Sequence, residues 1–185
     1  MKNHVCPWWL GYLLANPVRR LLQDPHAILA PYVREGMTVL EPGPGMGFFT
    51  LELARLVGPA GRVVAVELQP QMLEGLKRRA AKAGLLERIE ARPAASDSLV
   101  VSDLAGQVDF ALAFAVVHEL PAAGPFFLEI ASALKPAASL LVAEPKGHVK
   151  PTEIASELEA AAQAGLELVD RPPIRRSHAA LLKKA

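Results

Sequence analysis

Short apolar runs alternate with segments of helical periodicity along most of the chain. The apolar runs are bounded by turn residues and predict buried strands at 38–41, 62–67, 89–92, 108–114 and 139–143. The segments between them carry apolar residues three and four positions apart and predict helices at 48–57, 70–83, 121–134 and 151–164. This alternation of strand and helix predicts an α/β domain around a mainly parallel sheet, with helices on both faces.

The last part of the chain departs from that alternation. Two apolar runs, at 165–170 and 177–182, follow the final helix with a connection through two consecutive prolines between them. Strands joined by so short a connection are antiparallel, because a parallel pair needs a crossover of a dozen residues or more. We therefore expect seven strands in all, with the last one reversed.

The N-terminal region has a different pattern. The apolar run 5–15 is too short to span a bilayer as a helix, and we expect a helical segment rather than an export signal. An Asn-Pro pair and an Asp-Pro pair, each typical of a helix start, then predict short helices at 17–22 and 25–33. These features divide the chain into an N-terminal extension, 1–24, and a main domain, 25–185.

Composition and charge exclude several classes of function. The 185 residues carry a formal net charge of +1 and only short basic clusters, which argues against an electrostatic nucleic-acid binder. Cys6 is the single cysteine, so neither a disulfide framework nor a multi-cysteine zinc site is available, and we expect no metal. The expected location is cytoplasmic, with no stable membrane insertion.

A glycine turn follows the first predicted strand. Glu41 ends that strand, and Gly43, Gly45 and Gly47 follow on alternate positions before the next helix begins. A strand, a glycine turn and a helix form a nucleotide-binding crossover, since glycine allows positive φ and a close approach of backbone to ligand. A dinucleotide fingerprint would need its third glycine at the position of Phe48, so this spacing argues against a nicotinamide cofactor.

The pattern E-x-G-x-G-x-G resembles the first motif of class I S-adenosylmethionine-dependent methyltransferases. This resemblance covers about residues 25–185 and implies a single Rossmann-like sheet of strand order 3-2-1-4-5-7-6. It also implies that Gly43, Gly45 and Gly47 wrap the methionine part of S-adenosylmethionine, with Glu41 facing its ammonium group.

Further cofactor contacts are expected at the ends of the next strands. Glu67 ends the second strand 24 residues after the first glycine of the turn, and a carboxylate there can accept hydrogen bonds from both hydroxyls of a ribose. Leu68 would then lie against the adenine. Related enzymes often bind the adenine amino group with an Asp after the third strand; here that acid is missing or displaced to Asp97, and backbone near Ala95 is expected to replace it. Ala115, directly after the fourth strand, completes the expected cofactor contacts.

Four side chains follow the fourth and fifth strands. His118 and Glu119 come after the fourth strand, and Glu144 and His148 after the fifth, where parallel sheets bind their ligands. The segment resembles the strand-four motif of small-molecule methyltransferases, including quinone- and arsenite-methylating groups. A histidine can take a proton from an acceptor, or it can simply hold the loop, and both interpretations stay open.

The resulting hypothesis is methyl transfer from S-adenosylmethionine to a small or medium-sized, apolar acceptor. Arsenite is excluded as that acceptor because its capture needs several thiolates and only Cys6 is present. The alternatives are a nicotinamide-dependent oxidoreductase and a non-catalytic module that binds S-adenosylmethionine. The N-terminal extension is either packed on the domain or a lid over the acceptor, and both a monomer and a homodimer are compatible with the sequence.

Overall fold

The computed structural model describes Arg19 and residues 22–185, so the predicted segment 5–15 and most of the predicted helix 17–22 lie outside the described residues. The strands are β1 (Thr38–Pro42), β2 (Arg62–Glu67), β3 (Ile89–Pro93), β4 (Val108–Phe114), β5 (Leu134–Pro145), β6 (Leu166–Asp170) and β7 (Ser177–Lys184). The helices of the described part are α1 (Pro25–Leu29), α2 (Thr50–Leu56), α3 (Pro70–Lys82), α4 (Ala123–Ala133) and α5 (Pro151–Gln163).

The strand order confirms the expected topology. The sheet of the described residues has seven strands in the order β3-β2-β1-β4-β5-β7-β6. β7 runs antiparallel to both of its neighbours, β5 and β6, as the short connection before it predicted. By its contacts the described chain divides after Ser96 into two compact units, the second being Asp97–Ala185.

The first unit contains three parallel strands and helices α1 to α3. β1 pairs with β2, and β2 with β3, in parallel register. The middle of β2 is buried throughout, which explains why it appears in the sequence as one continuous apolar run. α1 begins as predicted, with Asp24 accepting the N–H of His26 at 2.9 Å, but it ends at Leu29 rather than near residue 33. Pro31 explains the early end, since it has no N–H to continue the ladder of helical hydrogen bonds, although Ala30 before it still has helical backbone.

The second unit contains β4 to β7 with helices α4 and α5. Its core includes Phe110, Phe127 and Ile130, all fully buried or nearly so. The sequence predicted a helix at 121–134 and a strand starting at 139, but α4 ends at Ala133 and β5 begins at once with Leu134. The intervening residues form a bulge: Leu134 pairs with Val108 but the next paired residue of β5 is Ser139. Pro136 explains it, since proline has no N–H to donate to the ladder.

The longest helices of Arg19 and residues 22–185, α3 and α5, have 13 residues each. None of the helices there is long and apolar enough to cross a bilayer.

Candidate functional site

The glycine turn of the first unit needs its glycines for two different reasons. Gly43, Gly45 and Gly47 have φ values of 66°, 55° and 81°, in the left-handed region that other residues adopt only under strain. A Cβ at Gly47 would collide with the side chain of Leu76 on α3, so this glycine allows the turn to pack on its own unit. A Cβ at Gly45 would meet no atom within 4 Å. Gly45 therefore leaves open space beside the backbone, as a ligand cradle requires.

Glu67 connects the end of β2 to this turn. Its side chain is only 7% exposed; Oε2 accepts the N–H of Gly45 at 3.0 Å and Oε1 accepts the N–H of Gln69 at 3.0 Å. Burial raises the pKa of Glu67, while the N–H donors of Gln69, Gly45 and Leu68 oppose that rise. Each carboxylate oxygen has a second lone pair, so both can still accept a ligand hydroxyl. The sequence predicted a ligand-binding acid here but not its role in shaping the turn.

Glu41 is buried at the end of β1 with an unsatisfied oxygen. Its Oε2 makes no hydrogen bond to any described residue. Burial raises the pKa of Glu41 to about 8, and the negative charge of Glu67 adds to the rise. The hydroxyl of Thr50 is near enough to oppose it, although Thr50 Oγ1 makes no hydrogen bond of normal geometry either. A buried acid with a free acceptor atom is suited to a cationic ligand group.

The remaining predicted cofactor residues of the first unit lie near Glu67. Leu68 follows it in the chain and is 44% exposed. The N–H of Ala94 donates to the carbonyl of Glu67 at 3.0 Å, so the exposed Ala95 is held at the same strand end. The guanidinium of Arg79 donates to the carbonyl of Met46 in the glycine turn, a contact that no sequence signal indicated.

Glu144 organises the cluster in the second unit. It is fully buried at the carboxyl end of β5, where its Oε1 accepts the N–H groups of Val116 at 3.1 Å and Val117 at 3.0 Å. Its Oε2 pairs with Nδ1 of His118. One carboxylate therefore fixes both the backbone after β4 and the histidine ring, and the structure brings together the two predicted residues His118 and Glu144.

The pairing with Glu144 favours the protonated, positively charged form of His118. The hydrogen bond to Glu144 raises the pKa of His118; partial burial opposes the rise, and the charges of Glu144, Glu119 and Glu157 add to it. The ring of His148, exposed in the loop after β5, lies edge-on with its centroid 5.9 Å from that of His118. Glu119 is partly exposed, and its negative charge contributes to the raised pKa of His118.

Ala115 lies in the second unit, at a strained turn. Its φ is +56°, and its N–H donates to the carbonyl of Ala143 at 2.8 Å. A non-glycine residue in this region costs about 1–2 kcal/mol and persists only where its surroundings hold it. The turn directs the chain from β4 toward His118.

Glu157 on α5 was missed by the sequence reasoning. It is 9% exposed, and its Oε2 has no hydrogen-bond partner within the described chain. A signal was present: Glu157 lies three positions after Ile154 and four before Ala161, on the apolar face of the helix.

Within Arg19 and residues 22–185, no group of three or more His, Cys, Asp or Glu side chains is arranged to hold a metal ion.

Comparison with known proteins adds a family and a fold. A family model described as a methyltransferase domain matches residues 33–174. A protein-L-isoaspartate O-methyltransferase of Methanothrix thermoacetophila is 45% identical over 51 residues, and a catechol O-methyltransferase of Mycobacterium tuberculosis is 46% identical over 52 residues. Each alignment covers 28% of this chain and only 24% of the relative, so the match spans about a quarter of these proteins.

A solved structure matches over nearly the whole chain. It is a SAM-dependent methyltransferase from Aquifex aeolicus, with a TM-score of 0.86 and 24% identity. The alignment covers 98% of this chain and 100% of that structure. At this level of identity the likeness establishes the fold.

Proposed function

This chain belongs to the methyltransferase-domain family, and we propose that it transfers the methyl group of S-adenosylmethionine to a small or medium-sized acceptor. The observation that carries the proposal is the hydrogen bond from Gly45 N–H to Glu67 Oε2. It joins an acid suited to ribose hydroxyls and a turn suited to close backbone contact into one site. The strand order is the one that the resemblance to class I methyltransferases implied.

The chemistry of the first unit fits this cofactor. Glu41 offers a buried acceptor oxygen without a partner, which suits the ammonium group of an amino acid. Glu67 keeps free lone pairs for two hydroxyls, and the exposed Leu68 offers an apolar surface for a base. When bound, S-adenosylmethionine supplies a methyl carbon that its sulfonium already makes electrophilic.

We assign the acceptor to the second unit. His118 presents its Nδ1 to Glu144, so Nε2 is the ring atom that would take a proton from a hydroxyl, amine or thiol. Glu144 stabilises the imidazolium that this transfer would form. The pKa of His118 is raised above its ordinary value of 6.5. Its neutral, proton-accepting form therefore predominates only when the pH exceeds that raised pKa. Glu119 and His148 are proposed as acceptor contacts beside it.

The first test is binding of S-adenosylhomocysteine, the demethylated cofactor, by calorimetry on the purified protein. We expect saturable one-site binding, together with no change in NADH fluorescence on addition of protein. Binding of NADH instead would favour the nicotinamide-dependent oxidoreductase. Binding of S-adenosylhomocysteine without any methylated product in cell extracts would favour the non-catalytic module.

The acceptor is proposed to be apolar, as the sequence of residues 5–15 suggests. Incubation with methyl-labelled S-adenosylmethionine and either a lipid extract or a polar metabolite extract, followed by mass spectrometry, tests this. We expect label in lipid-soluble products; label confined to polar metabolites would contradict it. The cytoplasmic location and the division at residue 24 stay predictions.

A further inference from the structure

The glycine turn between β1 and α2 packs against one face of α3, within the first unit. Met46 is only 3% exposed, and a Cβ at Gly75 of α3 would approach Met46 Cγ to 2.9 Å and Sδ to 3.0 Å. A Cβ at Gly47 would approach Leu76 Cδ1 to 2.3 Å. Glycine is unfavourable inside a helix, so its presence opposite Met46 indicates that α3 is shaped to receive the turn.

Arg79 adds a hydrogen bond to this packing. It lies one helical turn after Gly75 on the same face of α3, and its Nη1 donates to the carbonyl oxygen of Met46. The peptide group between Met46 and Gly47 is planar, so holding its carbonyl also fixes the direction of its N–H. That N–H donates to the carbonyl of Pro44 at 2.9 Å and closes the turn. This peptide group is therefore held at both ends.

The first half of the turn is held from the other side, by the end of β2. The N–H of Gly43 donates to the carbonyl of Val66 at 2.9 Å, and the N–H of Gly45 donates to Glu67 Oε2 at 3.0 Å. The turn is thus fixed from β2 through its first residues and from α3 through its last ones. A turn that is already ordered needs less ordering when a ligand binds, which favours affinity.

We propose that Arg79 is a positioning residue for the glycine turn, and that its bond to the Met46 carbonyl keeps the turn in the shape that the cofactor binds. Arginine suits this role because its guanidinium stays charged and directs its donors in a fixed plane. The hold on the turn is a property of the ligand-free protein. Its consequence for S-adenosylmethionine passes through the backbone of Met46 and Gly47, and rests on the proposed function.

Amide hydrogen exchange at Gly47, followed by NMR without ligand, tests this hold directly. Arg79→Met keeps an apolar side chain but removes the donor, and we expect the Gly47 N–H to exchange roughly tenfold faster. Arg88→Met is the matched control, because Arg88 donates at 3.2 Å to another backbone carbonyl of this unit, that of Ala54 on α2. It should lose comparable stability in urea yet leave exchange at Gly47 unchanged. Wild-type exchange in folded Arg79→Met would overturn the proposal.

A second variant acts on the same contact without touching Arg79. Gly75→Ala places a methyl group against Met46 and so displaces the turn from α3, while alanine favours the helix itself. We expect faster exchange at Gly47 here too, without a matching loss of stability in urea. An unchanged exchange rate at Gly47 in this variant would mean that α3 does not hold the turn, and would count against the proposal.

Calorimetry with S-adenosylhomocysteine then separates this inference from the proposed function. We expect the Kd to rise roughly tenfold in Arg79→Met, to rise less in Arg79→Lys, which keeps one donor, and to stay unchanged in Arg88→Met. If wild type binds and Arg79→Met binds equally well, the positioning role fails and the proposed function stands. If wild type does not bind, the proposed function fails, and the exchange rates still decide whether Arg79 holds the turn.

Discussion

The carboxylate of Glu67 accepts a hydrogen bond from the backbone N–H of Gly45 at 3.0 Å, and so joins the end of β2 to the turn that follows β1. The same side chain accepts the N–H of Gln69 at the start of α3. A charged acceptor on two backbone donors holds both segments in place before any ligand arrives. Such preorganisation lowers the entropic cost of ordering the turn when a ligand binds.

Replacing Glu67 with glutamine should weaken cofactor binding. The amide can accept only one of the two N–H groups and turns its own NH₂ toward the other, and the negative charge is lost. We expect the Kd for S-adenosylhomocysteine to rise roughly 10- to 100-fold, as for loss of a charged hydrogen bond. Calorimetry measures it. Glu74→Gln, at an exposed position of α3, is the control, and an equal loss there would remove any special role for Glu67.

An alanine at Gly45 should impair binding more than folding. Gly36 and Gly45 both have positive φ, and at both an added Cβ meets no atom within 4 Å. Gly36→Ala and Gly45→Ala should therefore lose similar stability in urea unfolding, about 1–2 kcal/mol. Only Gly45→Ala is expected to weaken binding of S-adenosylhomocysteine, by tenfold or more. If both variants bind equally well, the open space at Gly45 is not a ligand cradle.

The sequence predicted the fold where one local rule determined the outcome. β2 and β4 begin and end at the predicted residues. β2 is an apolar run with Arg62 and Glu67 at its ends, and β4 is apolar from Phe110 to Phe114. The start of β5 was not predictable in this way. Proline and alanine residues resemble a loop locally, and only the pairing of Leu134 with Val108 makes them part of a bulged strand.

For the site residues, too, the position along the chain was predictable and the tertiary partners were not. Glu41 and Glu67 stand at strand ends and His118 lies in the turn after β4, where topology alone predicts ligand contact. The partners of those side chains depend on tertiary structure: nothing local indicated that Glu144 would accept two N–H groups and a histidine at once. Glu157 was overlooked because a single acid on a helix is ordinarily solvent-exposed, and its apolar neighbours were the only sign of burial.

Glu41 should make the ligand-free protein less stable as the pH rises. Its pKa is about 8 in the fold against an ordinary 4.5, so the native state binds more protons than the unfolded state between those values. Stability therefore falls through that range. Glu41→Gln cannot ionise, and at pH 9 it should exceed wild type by on the order of 5 kcal/mol, with little difference at pH 4.5. Urea unfolding at both pH values measures this; a gain that is equal at the two would contradict it.

Cofactor binding should also depend on the ionisation of Glu41. If its carboxylate faces the ammonium group, binding must release the proton that Glu41 holds at neutral pH. Calorimetry of S-adenosylhomocysteine at pH 7 in buffers of different ionisation enthalpy should then show proton release in wild type and less of it in Glu41→Gln. Equal proton release in both proteins would place the ammonium group elsewhere.

The pair of His118 and Glu144 should stabilise the fold most below neutral pH. The pKa of His118 is raised above its ordinary 6.5, so the contribution of the charged pair is fully present below 6.5 and is lost as the pH rises through the raised value. In Glu144→Gln the amide oxygen can still accept from Val116 and Val117, but the charge that binds the imidazolium is gone. We expect a loss of about 1.5–3 kcal/mol at pH 6 and a smaller one at pH 9, measured by urea unfolding.

A double-mutant cycle with His118→Asn isolates the interaction of His118 with Glu144, and the coupling energy should be smaller at pH 9 than at pH 6. His148→Asn, which changes an exposed ring beside the pair, should leave the unfolding free energy nearly unchanged. A coupling energy that is the same at pH 6 and pH 9 would mean that His118 does not change its charge between these two pH values, and would contradict the prediction.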